Sequence, residues 1–125
     1  MRADTPERCD ELFTRFANAR DLEGLVSLYE PDACLAQQQG PPARGPAAVR
    51  ESLAGFLATQ PELEMKVVRA LRAGDDLAVL YSDYRVRVAG QQEPIAGRSM
   101  IVVRRRPDGS WRIVVDDPYV AAPSA

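Results

Sequence analysis

Few residues in this chain can do chemistry, because it contains no histidine. That absence removes Ser-His-Asp and Cys-His nucleophile systems, His-ligated metals and the usual general base near neutral pH. Any acid–base work falls to carboxyls and phenols. Asp116 and Asp117 adjoin in a strand-like stretch, so they point to opposite faces, and one of them meets whatever that sheet covers. A carboxyl facing an apolar cavity has its pKa raised by desolvation and can act as a base. Tyr84 shares a strand face with Ala78 and Leu80. Its phenol can donate to a developing oxyanion, or it is a core aromatic with its hydroxyl satisfied. Gln37 can orient a carbonyl or hydroxyl but cannot take a proton; its alternative role is to satisfy a backbone group near a Pro-rich loop. Arg98 offers a planar fork to an anionic ligand, or sits solvated at an edge, and alternation sets it opposite Ser99.

No metal or organic cofactor is expected. Cys9 and Cys34 form no CxxC pair and read as small buried hydrophobes rather than a bridge. Lys66 is the only lysine, in an alternating stretch, and reads as a solvated strand residue rather than a Schiff base. The 125 residues carry 16 basic and 18 acidic side chains, a net charge of −2, which argues against an electrostatic grip on nucleic acid. Arg104-Arg105-Arg106 precedes a hairpin turn, and successive strand residues face alternate sides, so it makes no single patch. No run approaches the ~20 apolar residues of a membrane span, and the charged start has no secretory pattern. The expected location is the cytoplasm, and the Ala- and Arg-rich, Lys-poor composition points to a bacterial source. The length fits a single domain over 1–125, ordered over roughly residues 5–120.

The elements that must position these residues follow from periodicity. Thr5-Pro6-Glu7 opens a helix, with Cys9, Leu12, Phe13, Phe16 and Ala17 as its apolar stripe. Asp21 caps a second, shorter helix carrying Leu22, Leu25, Val26, Leu28 and Tyr29, which Pro31 stops. A short first strand is expected over Ala33 to Gln37, then a Gly/Pro loop over 40–46, then a helix from Pro46 to about Ala58. Alternation from Glu62, then from Leu77 to Val88, Gly97 to Arg106 and Trp111 to Val120 predicts four long antiparallel strands. Helices first and strands afterwards read as α+β, with the helices covering one face of a curved sheet.

That order, with the segment DLEGLVSLYEPDACLAQQQGPPARGPAAVRESL at 21–53 and the hairpin GRSMIVVRRRPDGSWRIVVDDPY at 97–119, resembles the nuclear-transport-factor-2-like superfamily, in particular its SnoaL-like and SgcJ-type branch. LAVLYSDY at 77–84 is similar to the strand between. The resemblance implies a cone-shaped α+β barrel, with a mainly antiparallel curved sheet wrapped around three N-terminal helices and one cavity inside. Among its uses are ketosteroid isomerases, polyketide cyclases, dehydratases, epoxide hydrolases and non-catalytic dimerisation modules, so fold alone does not give function. In the ketosteroid isomerases a first-helix tyrosine and a first-strand aspartate do the chemistry; the matching positions here are Phe13 and Gln37. The epoxide hydrolases use an Asp-Arg-Asp set that Arg98 and Asp116 match in part.

The resemblance makes Asp116, rather than Asp117, the expected catalytic carboxyl, with Tyr84 beside it. Phe13, Phe16, Tyr29 and Phe56 are the expected aromatic walls of the pocket. Gln37, Ser99 and Met100 complete it. The expected function is binding of an apolar, polyketide- or steroid-like small molecule, with cofactor-independent isomerase, cyclase or dehydratase chemistry. The alternative is a non-catalytic ligand-binding or dimerisation module, and a homodimer through the outer sheet face around Val79, Tyr81, Asp83 and Arg85 is the expected assembly.

Overall fold

A computed structural model describes residues 1–121. Helix α1 (Pro6–Asn18) begins where Thr5 accepts a hydrogen bond from the Arg8 amide at 3.3 Å, with proline at the first helical turn. Helix α2 (Leu22–Ser27) is capped by Asp21, whose carboxylate accepts from the Gly24 amide at 2.9 Å. Strand β1 (Tyr29–Leu35) follows at once, then the two-residue β2 (Ala43–Arg44) and helix α3 (Gly45–Ala58). Four long strands complete the chain: β3 (Glu62–Ala73), β4 (Leu77–Arg87), β5 (Ile95–Arg105) and β6 (Trp111–Ala121).

All six strands form one sheet in the order β2-β1-β6-β5-β4-β3. The four long strands pair antiparallel with one another, whereas β1 runs parallel to β6. The sheet is curved and stays open, and the three helices complete the enclosure, giving the α+β class expected from the element order and the cone that the resemblance implies. Helix α1 packs against β3, β4, β5 and β6, and α3 packs against β1, β2 and α2. Asn18 at the end of α1 fastens helix to sheet, donating to the Leu63 carbonyl at 3.0 Å and accepting from the Leu63 amide at 2.8 Å. The core between the layers is apolar, with Leu12, Leu25, Leu80, Val103 and Ile113 fully buried.

The expected 40–46 loop holds the two-residue β2, β5 begins at Ile95 rather than Gly97, and two further differences bear on the site. Tyr29 is not in the second helix: α2 stops at Ser27, and Tyr29 opens β1 opposite Ile113 of β6. Pro31 lies inside this strand, where the β1–β6 register is irregular between Tyr29 and Cys34, the setting that tolerates a residue without an amide hydrogen. Gln37 does not end the strand either; β1 closes at Leu35, and Gln37 lies two residues beyond.

The register of β6 carries the most consequence. Val103 pairs with Ile113 and Val102 with Val115, so Val114 is an extra residue, a β-bulge. Trp111 and Ile113 face inward; unbroken alternation would turn Val115 and Asp117 inward too. The bulge resets the phase, so Asp116 faces the core opposite Ile101 and Asp117 faces outward.

Candidate functional site

Between the helices and the concave sheet face lies a cavity of about 630 Å³, within the size range of small-molecule sites. Its walls are mostly apolar: Phe13 from α1, Leu53 and Phe56 from α3, Met65 from β3, Val86 from β4, Ile101 from β5 and Ile113 from β6. Phe13 and Phe56 stack with ring centroids 6.4 Å apart. Polar groups enter at a few points only.

Asp116 is one of them. It is 6% exposed, and the Tyr29 hydroxyl donates to its Oδ2 at 2.5 Å. Burial raises the Asp116 pKa to about 7; the Tyr29 hydrogen bond pulls it down, and the negative charges of Asp10 and Asp117 push it up. The same burial, with Asp116 alongside, holds the Tyr29 phenol well above its ordinary pKa, so it stays a donor. Both members come from the parallel β1–β6 pairing, which sets the start of β1 beside the inward face of β6.

Asp10 is the second carboxyl, and sequence reasoning missed it. It is 5% exposed on α1, lines the same cavity, and accepts from the Ser82 hydroxyl of β4 at 2.5 Å. Burial raises its pKa to about 6, against the opposing pull of Ser82. Its signal was present in the spacing: Asp10 precedes Phe13 by three residues and Ala17 by seven, which puts a carboxyl on the apolar face of an amphipathic helix.

Tyr84 lines the cavity, and its hydroxyl donates to the Pro118 carbonyl at 2.8 Å, tying β4 to the irregular end of β6. Gly97 on β5 makes room for that ring: a Cβ there would stand 2.4 Å from the Tyr84 oxygen. Gln37 also lines the cavity, but its amide nitrogen donates to the Leu35 carbonyl at 3.2 Å and to Ser52 of α3 at 3.1 Å, so it ties the end of β1 to α3. Ser99 is buried in the cavity wall on β5.

Two expected wall residues lie elsewhere. Phe16 is buried, but its ring packs against α2, where a Cβ on Gly24 would stand 2.6 Å from it; it belongs to the core between the helices. Met100 follows Ser99 on β5 and so faces the outer side, pairing with Tyr81 and Asp117. Arg98 is outward for the same reason and makes a two-pronged ion pair with Asp83, at 2.7 and 3.2 Å, so it cannot join Asp116 in an Asp-Arg-Asp set. Cys9 and Cys34 are free thiols, the first buried and the second partly so. Among the described residues no group of three or more His, Cys, Asp or Glu is placed to hold a metal ion, and no helix is long and apolar enough to cross a membrane.

An open curved sheet closed by three helices around an apolar cavity is the nuclear-transport-factor-2-like arrangement, shared with ketosteroid isomerase-like proteins. The model of the SnoaL-like domain matches residues 10–114, and the chain belongs to that family. Comparison with curated proteins finds no match. Solved structures share the fold. A candidate calcium/calmodulin-dependent protein kinase type II association domain from Thiobacillus denitrificans superposes with a TM-score of 0.80 at 23% identity, covering 94% of this chain and 98% of the other. A ketosteroid isomerase-like protein from Erwinia carotovora atroseptica gives 0.79 at 18% identity, covering 89% of each chain. A domain of unknown function with a cystatin-like fold from Nostoc punctiforme gives 0.78 at 17%, covering 93% and 75%.

Proposed function

We propose that this protein binds an apolar small molecule in the cavity and moves a proton on it without a cofactor, as an isomerase, cyclase or dehydratase would. The observation that carries this reading is the Asp116–Tyr29 pair. A carboxyl buried in an apolar wall with a pKa of about 7 can both take and return a proton near neutrality. Tyr29 holds that carboxyl in place and supplies the hydroxyl that the first helix, with Phe13, does not. In this reading Tyr84, Gln37 and Ser99 shape the cavity, and the stacked Phe13 and Phe56 hold the apolar body of the ligand.

The test is exchange of the α-protons of 2-tetralone, an apolar cyclic ketone, in deuterated buffer, followed by proton NMR. The native chain should speed exchange, and Asp116→Asn should lower the rate by about 10²–10⁴-fold, the usual worth of a positioned general base. Equal rates in both chains, or no acceleration at all, would overturn the reading.

A second reading is a dimerisation module built on the outer sheet face. Val79 and Tyr81 of β4 pair there with Val102 and Met100 of β5, leaving half-exposed apolar side chains together. Likeness to a candidate association domain supports it at the level of fold. Sedimentation decides: a dimer that Tyr81→Glu splits supports this surface, and a strict monomer removes it.

A further inference from the structure

The fixed charges of the cavity all have one sign. The chain holds 16 lysine and arginine side chains, and none of them lines the cavity, whereas Asp10 and Asp116 both do. Among the described residues neither carboxyl makes an ion pair. Each has one oxygen held by a hydroxyl, Asp10 by Ser82 and Asp116 by Tyr29. Their second oxygens have no hydrogen-bond partner among the described residues and are not sealed from solvent, and both residues line the cavity. The Ser99 hydroxyl, on a residue 5% exposed, stands the same way. A buried carboxyl without a cation is costly, and a ligand that brings one relieves it.

The walls add a second, independent preference. Five of the chain's eight aromatic side chains line the cavity: Phe13, Tyr29, Phe56, Tyr84 and Tyr119. Aromatic faces attract cations, most strongly where water is excluded. An anionic ligand meets repulsion from whichever carboxyl is ionised, and a neutral one brings no charge to offset it.

We propose that the cavity takes an apolar amine, its protonated nitrogen held by Asp10 on the helix wall, while Asp116 and Tyr29 on the sheet wall face the remainder of the ligand. The proposal names the substrate class of the cavity and rests on the reading that the cavity is the binding site. The two carboxyls then have separate roles, since Asp10 anchors charge and Asp116 stays free to move a proton. The raised pKa values of both groups, which burial causes, fit the same picture.

Isothermal titration of the full chain near neutral pH with 2-aminotetralin and with 2-tetralone tests it, because the two differ little but for the charged nitrogen. The amine should bind at least about tenfold more tightly, the worth of one charge-assisted hydrogen bond in a dry site. Asp10→Asn should abolish that preference, bringing the two affinities together. Equal affinities in the native chain, tighter binding of the ketone, binding of neither compound, or a folded Asp10→Asn chain that keeps the preference would each overturn the proposal. If Asp10→Asn fails to fold, the native comparison alone decides. A ketone that binds and exchanges its protons, with the amine no tighter, sinks this proposal and spares the proton-transfer reading. A preferred amine, with no ketone exchange, does the reverse.

Discussion

The two faces of the sheet use the same kinds of residue to opposite effect. On the outer face Asp83 of β4 meets Arg98 of β5, and this guanidinium holds the carboxyl below its ordinary pKa. One residue away on each strand, Ser82 and Ser99 face inward, where no cation lines the cavity and Asp10 and Asp116 are pushed up to about 6 and about 7. Water explains the difference. The outer pair is solvated, so its charges cost little to form and contribute little. The inner carboxyls have lost water and gained only one hydroxyl each, so charge there is expensive, and a proton or a cation is welcome. Strand alternation puts these two environments a single residue apart.

The largest effect that would break this contrast is on ketone exchange, where Asp116→Asn should cost about 10²–10⁴-fold and Asp83→Asn nothing measurable. Next is Tyr29→Phe. It leaves the Asp116 carboxyl buried without its donor, so we expect a loss of about 1–3 kcal/mol in denaturant unfolding. The Asp116 pKa should also rise further above about 7, because the Tyr29 hydrogen bond lowers it; carbon NMR of the carboxyl reads this directly.

A smaller effect is pH linkage. Asp116 and Asp10 have folded pKa values above the ordinary carboxylate value of 3.8, so between that value and about 6 to 7 the folded chain holds more protons than the unfolded one. Stability from these groups is therefore greatest in acid and falls as pH rises through that window. Asp116→Asn removes its share of the fall: relative to the native chain, its melting temperature should rise by several degrees at pH 8 and hardly change at pH 4. Asp83 works the other way, its lowered pKa contributing stability above 3.8 that is lost as pH falls. Asp83→Asn is the smallest expected effect, a melting temperature near native at pH 8 and unchanged 2-aminotetralin binding, because solvent screens the pair it removes. A large loss there would erase the contrast between the faces.

Much of the frame was legible from residue spacing. The Thr5 and Asp21 caps, the start of α3 within one residue of the expected Pro46 and the shared face of Ala78, Leu80 and Tyr84 follow from local rules, and the structure has them there. The site was legible only in part. Phe13, Phe56, Gln37, Tyr84, Ser99 and Asp116 do line the cavity, while Phe16 and Met100 do not. Met100 is on the outer face by the same alternation that turns Ser99 inward. Phe16 is apolar and correctly spaced, but its helix stripe is wide enough to meet two neighbours, and its side of the stripe meets α2.

What the sequence alone determined is local: which stretches are helix or strand, where they are capped, and that without histidine any proton must be carried by a carboxyl or a phenol. Three things were decided only by the tertiary structure. The bulge at Val114 is what turns Asp116, the carboxyl the resemblance already favoured, inward and Asp117 outward, because one unpaired residue inverts the phase of a strand. The parallel pairing of β1 with β6 took Tyr29 out of the expected helix and set its hydroxyl on Asp116. The packing of α1 across the sheet brought Asp10 to Ser82, 72 positions away in the chain. Each depends on partners distant in sequence, and a carboxyl's chemistry is set by what surrounds it rather than by its neighbours along the chain.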